Sequence, residues 1–280
     1  LYYRKDLFQQ HGVRVPETFD DLEAAAKKLT LPAQGIVGIV YRGRGRDAVS
    51  QWAHWFLGAG AYWWDAQGKP GLASPEALWS FEHYGKLLRE YGPKGPANIS
   101  RLDAQNLFAA GKAAMWIDTT DGVATLQDAA KTPVADRVGY AVPPGGKAGK
   151  APNSFSLYLS LSSFSEKKEA AWFFIQWATS KDVLTKGQVK GVPSPRRSSW
   201  NNPAFLEDVG KKFPDYPTSF VKALEVGRLD WLPLIEGAQE SRDAIGVAIT
   251  TGIQGGNVKE AAERANQEFG EILAREPKGK

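Results

Sequence analysis

Ten tryptophans in a chain of 280 residues, with no cysteine, constrain this fold more than any other feature. No disulfide can staple the molecule, so packing must hold it, and that packing must accommodate many large flat rings. Four of the ten, Trp52, Trp55, Trp63 and Trp64, fall in one short stretch beside Tyr41, Phe56 and Tyr62. Trp116 and Trp231 come much later and stand next to acids: Asp118 and Asp121 follow the first, and Asp230 precedes the second. Each tryptophan is, by type, an ordinary core residue. Aromatic faces also cover the apolar C–H face of a sugar ring while carboxylates and amides take its hydroxyls. The mixture suits a neutral, polyhydroxylated ligand, because a buried acid repels a carboxylate or a phosphate.

The length points to two lobes rather than one. The chain opens on Leu1-Tyr2-Tyr3-Arg4-Lys5, neither a Met start nor a signal peptide, and reads as processed or as a fragment. No apolar run reaches the length of a membrane span. The absence of cysteine excludes thiolate metal sites and is compatible with an oxidising compartment. The formal net charge of +4 comes from 35 basic and 31 acidic residues that are mostly dispersed. The one basic knot, Arg42-Gly43-Arg44-Gly45-Arg46, reads as a mobile surface loop at the rim of a cleft. A nucleic-acid binder needs a coherent basic face, which the chain lacks.

Helices are expected over 6–11, from Thr18 as cap through Leu29, over 50–57, from Ser74 as cap through Leu88, and over 103–110. Further helices are expected over 167–179, 203–209, 219–224, 234–250 and 257–273. Strands are expected over 35–41, 113–117, 138–142 and 156–160. The alternation of short strands with helices indicates an α/β architecture.

Standard catalytic signatures are missing. There is no glycine-rich nucleotide fingerprint, no Walker loop, no His-Glu-x-x-His and no Gly-x-Ser-x-Gly elbow. Three histidines, His11, His54 and His83, give a metal cluster or a His-based triad little to work with. A pair of carboxylates, Asp118 with Asp121 or Asp65 with Asp230, keeps a glycoside hydrolase open as an alternative, and a lectin-like carbohydrate-binding scaffold is another.

Several segments resemble one family in order along the whole chain. Leu1-Tyr2-Tyr3-Arg4-Lys5-Asp6-Leu7-Phe8 resembles "LYYNKDLF", with Arg4 where Asn is common. Gly12-Val13 and Pro16-Glu17-Thr18-Phe19-Asp20-Asp21-Leu22 are similar to "G…P.TWDEL", with Phe19 in place of Trp. Residues 107–115, Leu-Phe-Ala-Ala-Gly-Lys-Ala-Ala-Met, resemble "F..GKAAM". Residues 166–175 are similar to "S.KKEAAW.F..WL", and Gly191 to Ser198 to "G..P.R.S". The family is that of the extracellular solute-binding proteins of ABC sugar importers, in the maltose-binding-protein superfamily, family 1.

The resemblance implies a periplasmic-binding-protein-like fold of type II, with two α/β lobes around a ligand cleft. The N-terminal lobe would be incomplete, because relatives carry a substantial stretch before the segment that matches Leu1. Residues 1–150 would form mainly the C-terminal lobe. Residues 151–225 would return to complete the N-terminal lobe. Residues 226–280 would supply a hinge loop and terminal helices packed on the C-terminal lobe. The implied protein is not an enzyme. It would be a periplasmic or extracellular monomer, with a lipid anchor as an option, that closes on a neutral sugar, oligosaccharide or polyol and delivers it to an ABC transporter permease. No cofactor, metal or nucleic acid is expected. The loop after "F..GKAAM" faces the cleft in the family and here holds Asp118 and Asp121, the latter where relatives often place an aromatic. Asn153 lies in a turn that often carries Gly-Gly-x, and Trp231 in a segment that looks like the hinge loop. The expected ligand-binding residues are therefore Trp52, Trp55, Trp63, Trp64, Asp118, Asp121, Asn153 and Trp231.

Overall fold

Four short strands form one mixed sheet in the computed structural model, which describes residues 1–126, 128–130 and 132–276. The strands are β1 (Tyr2–Arg4), β2 (Val37–Val40), β3 (Ala113–Trp116) and β4 (Val138–Tyr140), in the order β2-β3-β1-β4. β2 and β3 run parallel, in register from Val37↔Ala113 to Val40↔Trp116. β1 is antiparallel to both β3 and β4.

The helices are α1 (Lys5–Gln10), α2 (Phe19–Lys28), α3 (Gly45–Ala59), α4 (Pro75–Tyr91), α5 (Arg101–Ala109), α6 (Val123–Leu126), α7 (Lys168–Ala178), α8 (Lys181–Val189), α9 (Arg197–Trp200), α10 (Pro203–Phe205), α11 (Asp215–Glu225), α12 (Ala238–Gln254) and α13 (Val258–Arg275). Their starts follow from local chemistry. Thr18 and Asp21 form a reciprocal capping box for α2. Ser74 caps α4 with Pro75 in its first turn, and Asn257 caps α13. α5 begins earlier than its apolar spacing indicates because Ser100 and Asp103 form a second capping box.

Successive strand residues feed two cores. Ile39, Tyr41, Met115 and Ile117 face the larger one, built with α2, α3, α4, α12 and α13. Val40 and Trp116 face the smaller one, with Phe108 of α5, Val123 and Leu126 of α6, Trp200 of α9 and Tyr216 of α11. Glycine allows the closest approaches. A Cβ on Gly38 of β2 would stand 2.0 Å from the Ala26 carbonyl oxygen of α2, and one on Gly85 of α4 would meet the Gly252 backbone of α12 at 2.2 Å.

One expectation, the strand over 156–160, needs correction. Residues 154–162 form no strand: Leu157 is 91% exposed, and the segment finds no ladder partner among the described residues. A strand without a neighbour leaves its backbone groups unpaired and does not persist as one. α7 does form, yet its apolar residues stay uncovered, with Trp172, Phe174 and Trp177 more than half exposed and Phe173 73% exposed. The last four positions of the expected 226–280 segment lie outside the described residues. Among the described residues no helix is long and apolar enough to cross a membrane.

Candidate functional site

The site begins where the parallel strands end. Val40 and Trp116 are the last paired residues of β2 and β3. Two positions beyond each, on the same phase, come Arg42 and Asp118. Carboxyl ends of parallel strands are where open α/β sheets hold ligands. Here Arg42 Nη2 donates to Asp118 Oδ1 at 2.6 Å, and its Nε donates to Oδ2 at 3.1 Å. The Asp118 side chain has no exposed surface and that of Arg42 only 9%. Burial alone lowers the Arg42 pKa, but the hydrogen bonds and charge of Asp118 outweigh it and raise it above its ordinary value. Both prongs of the planar guanidinium meet a carboxylate oxygen, the two-point geometry that arginine suits.

Other polar groups extend from it on both sides. Arg42 Nη1 donates to Asp47 at 3.2 Å and to the Ser50 hydroxyl at 3.1 Å, both near the start of α3. Arg101 of α5 approaches Asp118 to 3.9 Å, donates to the Thr119 hydroxyl at 3.2 Å and pairs with Asp121. Burial pushes the Asp121 pKa up, and the Thr119 and Arg101 contacts more than reverse this and hold it below the usual value. On the other side the Asn153 amide donates to the Ser50 carbonyl, while its Oδ1 is buried without a partner among the described residues. Asn153 bridges to Arg228: the Ser154 N–H donates to the Arg228 carbonyl at 2.8 Å, and the Arg228 N–H to the Pro152 carbonyl at 2.8 Å. Arg228 forks onto Asp230 at 2.8 and 2.6 Å. The Arg228 hydrogen bonds lower the Asp230 pKa, against a smaller opposing effect of burial. Trp231 follows, half-buried, with its ring 5.9 Å from Phe155.

The network is thus a continuous row of donors and acceptors in which arginines and carboxylates nearly balance. Its outer members Asp47, Arg101, Asp121 and Arg228 keep exposed surface that can meet hydroxyls, with the buried Arg42–Asp118 pair behind them. Among the described residues no group of three or more His, Asp or Glu could hold a metal ion. Two cavities of about 400 and 450 Å³, one beside Leu107 and Ala110 and one around Trp79, His83 and Glu23, share no residue with the network.

The bacterial extracellular solute-binding protein model matches residues 1–184, more than half of the chain. The chain belongs to that family. Like the solute-binding proteins it resembles, it is similar to binding proteins rather than to enzymes. It is 32% identical to a mannitol-binding protein of Pseudomonas aeruginosa over 239 residues, which cover 78% of this chain and 54% of that one. The chain spans about half the length of the curated relatives it matches. A solute-binding protein of an ABC transporter from Agrobacterium radiobacter, solved in complex with ribitol, superposes with a TM-score of 0.83 at 31% identity and covers 97% of this chain and 68% of its own. A second, from Agrobacterium vitis with bound D-mannitol, gives a TM-score of 0.82 at 27% identity, covering 99% and 71%.

Within this solute-binding-protein chain the expected site residues divide. Asp118, Asp121 and Asn153 lie in the network, and Trp231 flanks it. Trp64 is half-buried and packs edge-on against Tyr62 at 5.5 Å. Trp52, Trp55 and Trp63 have no exposed surface. Trp52 stacks on Phe81 at 4.3 Å, Trp55 on Phe19 at 5.6 Å, and Trp63 packs on Phe56 at 4.7 Å, so other rings already occupy their faces. They are core residues, and the reading of them as ligand plates is corrected. The basic knot is a loop only in its first part, Arg42 to Arg44, between β2 and α3. Gly45 and Arg46 belong to α3, Arg46 pairs with Asp243, and Arg42 is buried. Asp65 accepts the N–H groups of Gln67 and Lys69, which makes it a turn former. The network also contains Asp47, Ser50 and Arg101, which no motif marks. The signal for Arg42 was its place directly after an apolar, β-branched strand.

Proposed function

We propose that the protein binds a neutral polyhydroxylated solute, a sugar alcohol or a sugar, over the Arg42–Asp118 network, and passes it to an ABC transporter permease outside the cytoplasmic membrane. The observation that carries this reading is the near-balance of forked arginine–carboxylate pairs. Such pairs offer donors and acceptors side by side, as vicinal hydroxyls require, while the four carboxylates Asp47, Asp118, Asp121 and Asp230 disfavour an anion. The unpartnered Asn153 Oδ1 is one more acceptor for a hydroxyl, and Trp231 and Trp64 are the aromatic candidates with surface still open. Mannitol and ribitol, the ligands of the relatives above, belong to the same chemical class.

A hydrolase would need one carboxyl group kept protonated near neutrality. Asp121 and Asp230 are held below their ordinary values and are unsuited to that role.

The exposed apolar face of α7 supports the proposed role of residues 151–225 in completing a second lobe, since uncovered patches of this kind mark surfaces meant for contact. Closure of two lobes on the ligand is part of the same proposal.

Calorimetric titration of the intact protein with D-mannitol, ribitol, maltose and D-mannitol 1-phosphate tests the reading. A neutral member should saturate in the micromolar range or tighter, about −8 kcal/mol. Tighter binding of the phosphate ester would overturn the neutral-ligand assignment.

A further inference from the structure

The strand ends that carry Arg42 and Asp118 are held apart and tied together by one buried amide. Gln51 projects from α3 and is 7% exposed. Its Oε1 accepts the Arg42 N–H at 2.7 Å, and its Nε2 donates to the Ile117 carbonyl. Past the Val40↔Trp116 rung, the side-chain amide therefore joins the continuation of β2 to that of β3, from the Arg42 N–H to the Ile117 carbonyl. The tie is backed by Tyr84 of α4, whose hydroxyl donates to the Arg42 carbonyl, and by Tyr41, whose hydroxyl donates to the Tyr84 carbonyl at 2.8 Å.

Only a primary amide of this reach suits the place. It supplies an acceptor and a donor at one end of a side chain, and each meets its complement. Glutamate would present an acceptor to the Ile117 carbonyl, and methionine would satisfy neither backbone group. A buried backbone group left unpaired costs free energy, so the chain would shift to recover it. The residues that would shift are those that carry the forked pair.

We propose that Gln51 is a positioning residue: by spacing the ends of β2 and β3 it fixes the distance between the Arg42 and Asp118 arms, and so sets which polyhydroxylated ligands the site accepts. This rests on the binding role proposed above. Gln51 acts through the backbone behind the site, at the Arg42 N–H and the Ile117 carbonyl. In the sequence it is hidden as one of several polar residues of α3, beside Trp52.

The test uses Gln51→Glu and Gln51→Met in the intact protein, with two readouts. The first is D-mannitol and ribitol affinity between about pH 8 and pH 5. Both variants should lose about tenfold or more at the upper end. On acidification Gln51→Glu should regain affinity, because a protonated carboxyl again offers a donor and an acceptor, whereas Gln51→Met should not recover and the parent should change little. The ionisable groups around position 51 are Arg42, Asp47, Asp118, Tyr41 and Tyr84, and the parent and the Met variant control for their titration. The second readout is hydrogen exchange without ligand. The Arg42 amide should exchange faster in both variants while amides of α12 keep their protection. Parental affinity in both variants, or an Arg42 amide as protected as in the parent, would overturn the proposal. If the parent itself binds no polyol or sugar, the binding role fails, and the exchange of the Arg42 amide alone decides the positioning role.

Discussion

The indole N–H of Trp63 donates to the backbone carbonyl of Asp230 at 2.7 Å. A side chain with no exposed surface thereby holds, from behind, the segment that presents Arg228, Asp230 and Trp231. Trp63→Phe keeps the packing on Phe56 and removes this one bond. Affinity for the bound polyol should fall by about 1 kcal/mol, the net worth of a typical hydrogen bond, with a comparable loss of stability. Titration and amide exchange over 228–231 measure it. Unchanged exchange in that segment would show that the bond does not hold it.

Asp118→Asn removes the charge that neutralises a buried guanidinium. Breaking such a pair from one side costs about 3–5 kcal/mol. Denaturant unfolding should show a loss of that order together with lost ligand affinity. Parental stability would mean that Arg42 finds another counter-charge.

Trp52 and Trp231 should respond in opposite ways. Trp52 is enclosed by Phe56, Phe81 and Trp63, so Trp52→Ala should cost about 3–5 kcal/mol of stability. Trp231→Ala should leave stability nearly intact and weaken ligand binding by about 2 kcal/mol, as for a binding hot spot. A large stability loss with unaltered affinity would make Trp231 a packing residue.

Acid should destabilise the fold through His54. Burial lowers its pKa from 6.5 to about 4. Below pH 6.5 the unfolded chain takes up a proton that the folded chain refuses, so stability falls as pH falls and levels off near pH 4. The full loss is on the order of 3 kcal/mol. His83, also lowered by burial, acts in the same direction. His54→Phe should flatten the stability–pH curve over that interval, and an unaltered slope would assign the effect elsewhere.

Local signals made much of the fold legible. Thr18, Ser74 and Asn257 announce helix starts because capping is a matter of neighbouring residues. The strands at 37–40 and 113–116 announce themselves by apolar runs. The site was legible only in part. Asp118 and Asn153 could be placed through their segments, whereas Arg42 looked like a member of an exposed basic loop until its partner, 76 residues away, was known. The tryptophan cluster misled for the same reason. Aromatic faces suit a sugar or a core equally well, and only the positions of Phe19, Phe56 and Phe81 decide between them. Residues 156–160 have strand-like composition, but a strand also needs a partner, which composition does not reveal.

A crystal structure of the intact protein with bound D-mannitol tests the central claim most directly. The account predicts hydroxyl oxygens within hydrogen-bond distance of Arg42 or Asp118, with at least one further contact from Asn153, Arg228 or Asp230. A ligand seated away from these residues, for instance in the cavity around Trp79 and His83, would contradict it.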